Sequence, residues 1–536
     1  MKEKFARSNI LFFQYLKRDY KKIIVWVLGL GFFAGGLIPA FIEIAKGDGA
    51  IAMFETLQNP AMIALIGPTS VTSPAEYTLA VMYAHEMLLF SALFAFTLSI
   101  LHVILHTRKA EDLGLSEIIR SFQVGRQANS LAVILETILI NILLALFISV
   151  ILISFQIESL TILGTFTFGA SIGVAGILGA VIGLLMAQIM PVSSAATGSS
   201  LATMGILYIL RGITDISNLK LSMLNPLAWS YLTFPFTKNN WLPILLSIVF
   251  ALAIIIIAFI LEEKRDLGAG YLPEKEGRSR AKKSLLSVTG LFYKLNRGVI
   301  IGWLITFLVL GISYGAIYGD MGSFLESNEF MKEMFTYTGL SIEESFTGTV
   351  MMVMIGLVII LPVTIINKLF SEEKGLYLNQ IYGTKVKRSE IYFTNIILAI
   401  VVSILGIFLS AIGLGGSALS VLKSDNIKLL DFIIIGFNLF PVILFFIGLN
   451  SFILGWIPKL SKTIYVYLTY AFFLDYFQTV LDVPNWVIKT APQSWLPKMP
   501  MESFDLKIFL LVFLISVILI ILGFVGYKKR DMIESV

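Results

Sequence analysis

Ionisable side chains set inside apolar runs are the residues here whose type and spacing could do chemistry. Glu136 interrupts the run Ala132–Phe155, and Arg211 and Asp215 stand four apart, close enough to pair on one helical face. Asp475 lies one to two turns deeper in its own run than Asp482. Charge in hydrocarbon is costly, so such groups point to the lining or gate of a path; snorkelling to headgroups or water is the competing reading. The three histidines are His85, His102 and His106, the last two a helical turn apart. Two imidazoles do not make a metal centre without further ligands, and no carboxylate pair nearby in sequence completes one. No segment fits G-x-x-x-x-G-K-[ST], H-E-x-x-H or G-x-S-x-G, and there is no cysteine. The chain therefore reads as a non-enzyme that binds no cofactor or metal of its own, and any work it does must be driven from elsewhere.

The elements that must hold these residues follow from composition. Of 536 residues, 57% are hydrophobic and 14% charged, against about 25% charged in an average soluble domain. The apolar residues come in blocks, among them Ile23–Phe41, Leu242–Ile260, Val299–Ile317, Val350–Ile366 and Ile508–Gly526. Each is long enough to cross a hydrocarbon core of roughly 30 Å as a helix that satisfies its own backbone. The short alternating segments of a β-barrel are absent. The first block is too long for a signal-peptide core and reads as a retained span. The expected fold is an all-α polytopic membrane protein with about twelve transmembrane helices.

Charge orients it. With twelve spans and a cytoplasmic N-terminus, the inner segments 1–22, 106–128, 262–298, 368–390, 456–463 and 528–536 hold 30 of the 40 Lys and Arg residues. This positive-inside pattern places both termini in the cytoplasm. It also accounts for the net charge of +5 without nucleic acid, for which no basic face with interleaved aromatics exists.

The chain repeats itself. Leu16-Lys17-Arg18 recurs as Leu295-Asn296-Arg297, Glu111-x-x-Gly114 as Glu372-x-x-Gly375, and Val124-Gly125-Arg126 as Val386-Lys387-Arg388. Pro191 recurs as Pro458, Pro226-x-x-Trp229 as Pro492-x-x-Trp495, and Lys264-Arg265-Asp266 as Lys529-Arg530-Asp531. The order is kept and the offsets after the first pair are nearly constant, which predicts two parallel six-helix repeats. Residues 1–267 form the first half, 268–287 a basic cytoplasmic linker and 288–536 the second half. In this frame Arg211 aligns with Gln478 and Asp215 with Asp482. These four, with Glu136 and Asp475, are the candidates for lining or gating a path between the halves. The glycine run Gly169, Gly173, Gly176, Gly179 and Gly183 reads as helix packing and does not recur.

Each half carries one soluble element of note, the loop after its second span: RKAEDLGLSEIIRSFQVGR from Arg108 and SEEKGLYLNQIYGTKVKR from Ser371. Acidic residues open both, as suits a helix start. Leu113, Ile118 and Phe122 in one, and Leu376, Ile381 and Tyr377 in the other, form a short apolar stripe that could dock into a partner groove.

With these loops, Arg265-Asp-Leu-Gly-Ala-Gly270, Asn59-Pro60…Gly67-Pro68, Arg211-Gly212…Asp215 and the Pro-x-x-Trp segments, the chain resembles the permease subunits of type-2 ABC exporters. The likeness is to their duplicated twelve-span branch, named for exporters of polyketide antibiotics such as tetronasin. It covers nearly the whole chain. It implies that Glu111, Gly114, Ile118 and Arg126, and Glu372, Gly375, Ile381 and Arg388, belong to coupling loops that dock two copies of an ABC ATPase. ATP and Mg would then be bound on those partner subunits. It further implies a bacterial cytoplasmic membrane and a hydrophobic or lipid-like cargo, such as an antibiotic, exported from the cytoplasm or inner leaflet. Leu378 stands where the first loop has Glu117, so the loops are expected to couple unequally. An ion-gradient-driven transporter would need matched buried carboxylates in both halves. A membrane sensor or scaffold of an antibiotic-response complex is the remaining alternative.

Overall fold

The computed structural model describes residues 3–46, 49–58, 60–273, 277, 279–316, 318, 342–422, 427–481 and 484–531. Every regular element among them is helical, as a chain with long apolar runs requires in lipid. The chain divides into two compact units, Met1–Gly277 and Arg278–Val536.

The first unit is built on α1 (Ser8–Gly35), α2 (Leu79–His106), the short α3 (Arg108–Asp112) and α4 (Leu115–Arg120), α5 (Ala128–Ser154), α6 (Ile162–Ile189), α7 (Ser193–Ser217) and α8 (Leu242–Lys264). The second contains α9 (Val288–Ala316), α10 (Ile342–Val358), α11 (Ile360–Lys374), α12 (Tyr377–Tyr382), α13 (Arg388–Val421), α14 (Leu429–Asn438), α15 (Phe440–Trp456), α16 (Thr463–Leu481) and α17 (Leu506–Lys529). The same partners pack in each unit: α1 on α5 as α9 on α13, and α6 on α8 as α15 on α17.

Ten spans among the described residues are long and apolar enough to cross a membrane. The fifth and eleventh expected spans, α7 and α16, fall outside that set. Both follow the matched prolines, and both are more polar: α7 opens on Ser193-Ser-Ala-Ala-Thr-Gly-Ser-Ser200 and carries Arg211 and Asp215, while α16 carries Asp475 and Gln478.

The halves differ in their helices' continuity. The second span is unbroken in the first half, as α2, but interrupted at Ile359 in the second. The fourth span is unbroken as α6 but interrupted at Leu439. Pro362 and Pro441 follow these breaks closely; each lacks an N–H and crowds the carbonyl four residues back.

The glycine run of α6 packs in two directions. A Cβ on Gly169 or Gly173 would meet the Ala145 or Asn141 carbonyl oxygen of α5, and one on Gly179 would sit 2.2 Å from the Phe96 carbonyl oxygen of α2. The second half makes its close approaches elsewhere, at Gly311 and Gly413 between α9 and α13, and at Gly455 and Gly523 between α15 and α17. Gly179→Val therefore forces α2 from α6 and should cost about 1–3 kcal/mol. Thermal unfolding of the detergent-purified chain measures this, and Gly198→Val, whose Cβ meets nothing within 4 Å, is the control.

Candidate functional site

The loop after α2 is fastened by a buried charge cluster. Arg108 is fully buried and donates to the carbonyl oxygens of Gly268 (2.6 Å) and Ala269 (3.0 Å) and to that of Pro191. It also donates to Glu111 Oε2 at 2.7 Å. Arg265, at the end of α8, takes the same carboxylate bidentately, Nη2 to Oε1 at 2.5 Å and Nη1 to Oε2 at 2.9 Å, and donates from Nε to Gln188 Oε1 at 2.7 Å. Arg126 donates to the Arg265 carbonyl oxygen. Planar guanidinium forks on one carboxylate fix direction as well as distance. The ends of α6 and α8 thus hold the loop. Gly114 makes the turn between α3 and α4 at φ +72°, a left-handed conformation that glycine adopts without a Cβ clash.

The second half repeats this fastening in simpler form. Arg530 pairs with Glu373, and Arg388 donates to the Arg530 carbonyl oxygen at 2.8 Å. The tyrosine hydroxyls of Tyr382 and Tyr527 meet at 2.6 Å. Here the structure corrects the register read from sequence. The acid equivalent to Glu111 is Glu373, not Glu372, and the left-handed position equivalent to Gly114 is Leu376 (φ +61°), not Gly375 (φ −77°). One offset of 262 then relates Glu111 to Glu373, Gly114 to Leu376, α4 to α12 and Arg126 to Arg388. Glu372 instead pairs with Lys368 one turn back on its own helix, at 2.7 Å.

The corrected register also changes the apolar stripe. Leu113, Ile118 and Phe122 are 58%, 60% and 66% exposed. Their second-half equivalents are Gly375, Gln380 and Thr384, and Ile381 is half-buried against that half's own core. Leu378 corresponds to the buried Ser116 rather than to Glu117, and is itself buried. Of the second stripe, Tyr377 is the exposed residue. The two loops share a scaffold and present different surfaces.

Of the ionisable groups that the sequence singles out in the spans, Glu136, Arg211, Asp215 and Asp475 find partners within their own halves. Asp215 accepts from Arg211 (3.3 Å), Ser222 (2.6 Å) and Tyr231 (2.6 Å), and Arg211 donates to the Leu65 carbonyl oxygen (2.6 Å) and stacks on Tyr208. Burial, and then the Asp215 charge, pushes the Tyr231 phenol up, so it remains a donor. This cluster fastens α7 to segments 60–66 and 219–231. Asp475 is buried with Lys498 Nζ at 3.4 Å. Glu136 meets His102. Gln478 lies in α16, but its side chain, like Asp482, is outside the described residues. The sequence reading saw no carboxylates completing the histidine pair; Glu136 and Asp19 do reach it, from other helices, but each meets a different imidazole. No three such ligands converge among the described residues.

An apolar groove of about 430 Å³ opens between α5, α6 and α8, lined by Leu146, Phe166, Val174, Trp241, Leu252 and others.

Helices of this length and apolarity, with ion pairs held inside the helical bundles, define a multi-pass α-helical membrane protein. Its residues 285–528 match the family described as the C-terminal domain of the multidrug efflux system permease Rv1217c. Over 523 residues, 96% of this chain and 94% of the relative, it is 25% identical to the multidrug efflux system permease protein Rv1217c of Mycobacterium tuberculosis. Homology to a multidrug efflux permease thus extends over nearly the full length.

Proposed function

We propose that the chain is the membrane-spanning permease of an ATP-driven exporter that moves hydrophobic or amphipathic compounds, antibiotics among them, out of the cytoplasm or inner leaflet. The observation that carries this reading is the pair of loops, each clamped by a buried carboxylate–arginine pair to the last span of its half. A docked ATPase subunit pushing on such a loop would move spans, because the arginine–carboxylate clamps leave it little freedom to flex. Two loops suit two ATPase copies, which would supply ATP and Mg chemistry that this chain has no motif for. The relative's name supports efflux, and the groove's aliphatic and aromatic lining suits an apolar cargo. Membership of the polyketide-exporter branch is the finer part of this proposal, as are a cytoplasmic position for both termini and the docking of the ATPases on the loops.

The test is ATP-driven uptake of a hydrophobic dye into inverted membrane vesicles carrying the chain together with its ABC ATPase. Ile118→Glu and Phe122→Glu alter exposed side chains, so the chain should still fold. ATPase co-purification should be lost, and dye uptake should fall at least tenfold, about 1.4 kcal/mol or more of docking energy. Uptake that proceeds without ATP and collapses with an uncoupler would sink the reading.

A further inference from the structure

We propose that His102 and Glu136 form a proton-binding site inside the first half, with no counterpart in the second. Glu136 is fully buried in α5, and its ion-pair partner among the described residues is His102, with Nε2 3.1 Å from Oε2. Its other oxygen, Oε1, makes no hydrogen bond. A lone carboxylate in hydrocarbon carries a heavy desolvation cost. One proton on the imidazole makes the pair an ion pair with no net charge, and its release leaves a single negative charge in the span.

The neighbouring groups leave this pair as the place for that proton. Asp19 is already balanced by Arg18 (3.1 Å) and Lys22 (2.9 Å). Arg18 Nη2 donates to His106 Nδ1 at 2.5 Å, which leaves the hydrogen of the neutral ring on Nε2, 3.2 Å from Asp19 Oδ2. A second charge on His106 would face Arg18 and Lys22 directly. Among the described residues no cation is paired against His102 in this way, and its ring lies 4.5 Å from that of His106. Asp19, His106, His102 and Glu136 therefore form a row from the exposed Arg18 and Lys22 at the basic end of α1 to the interior of α5. The other titratable group against the row among the described residues is Tyr15, which donates to Asn129 of α5 and lies tilted against His106, ring centroids 5.3 Å apart. α6, packed behind α2 and α5, carries no titratable side chain.

The second half lacks the site. At the offset of 262, His102, His106 and Glu136 fall on Thr364, Lys368 and Leu398. The proton moves from solvent to the His102 ring nitrogen; no other bond changes and no other reactant is needed.

A reporter is built in. Trp26 of α1 sits edgewise to His102 with ring centroids 5.8 Å apart, and its indole N–H is buried without a partner. A charged imidazolium beside an indole quenches its emission. The experiment is a fluorescence titration of the full chain in lipid nanodiscs over about pH 5–8, where imidazoles change charge. The emission of Trp26 is isolated by subtracting that of Trp26→Phe. One reversible transition is expected, absent in His102→Gln, retained in His85→Gln and displaced along the pH axis in Glu136→Gln. A flat Trp26 signal in the parent chain overturns the proposal whatever the variants do. So does a transition that survives His102→Gln, or one whose midpoint ignores Glu136→Gln.

Discussion

Glu111→Gln should lower the unfolding temperature of the chain more than any other change in the two loops, by the equivalent of about 3–5 kcal/mol. The residue is the shared acceptor of two buried guanidinium groups, Arg108 and Arg265. A neutral amide leaves both cations in a site with little water, and breaking a buried pair costs more than the pair contributes. Glu373→Gln strips a single arginine, Arg530, which is itself slightly exposed, so its effect should be smaller. Glu372→Gln removes a pair one turn apart on α11 whose lysine is exposed to solvent, worth roughly 0.3–0.5 kcal/mol, so its effect should be the smallest of the three. The order Glu111, Glu373, Glu372 in thermal unfolding checks the register of the second loop. If Glu372→Gln proved as damaging as Glu373→Gln, the equivalence of Glu373 with Glu111 would fail.

Asp215→Ala is the second large effect. Arg211 has no exposed surface, and Asp215 also accepts from the Tyr231 and Ser222 hydroxyls. Removing the carboxylate leaves one charge and two donors unsatisfied, again about 3–5 kcal/mol. Arg211→Met combined with Asp215→Leu should recover much of that loss, because an apolar replacement removes the unpaired groups along with the pair. Thermal unfolding of the single and double variants measures the coupling. Dye transport by the double variant then separates two roles. A stable chain that still transports marks the cluster as a fastener of α7, and a stable chain that does not transport places it on the path.

Much of the architecture was legible in the chain itself, because lipid imposes a length and a composition on every span. The apolar blocks, the all-helical fold and the ordered landmarks depend on periodicity and on residue type, both of which survive in a linear string. Pro362 and Pro441, beside the breaks in two spans of the second half, are visible in the string as well. The second loop shows the limit of such reading. Glu372-Glu373 offers two acids and Gly375 a familiar turn residue, so matching letters chose an offset of 261. The structure chose 262, because one carboxylate reaches Arg530, and the left-handed turn follows three residues later even though it places a leucine there. A constant offset from Val124/Val386 and Arg126/Arg388 was the available signal.

The chemically able residues divide in the same way. Their presence inside apolar runs is a property of sequence, and it marked Glu136, Arg211, Asp215 and Asp475. Their partners lie far away along the chain: Glu136 meets His102, Arg211 meets Leu65, Asp475 meets Lys498, and Glu111 meets Arg265. A buried charge is defined by what neutralises it, and that is settled only when helices distant in sequence pack side by side. The sequence alone therefore determined that this is a many-span helical membrane protein with one matched polar loop in each half. Tertiary structure decided which acid clamps each loop, which loop offers an apolar face, and which carboxylate meets which imidazole in the first half.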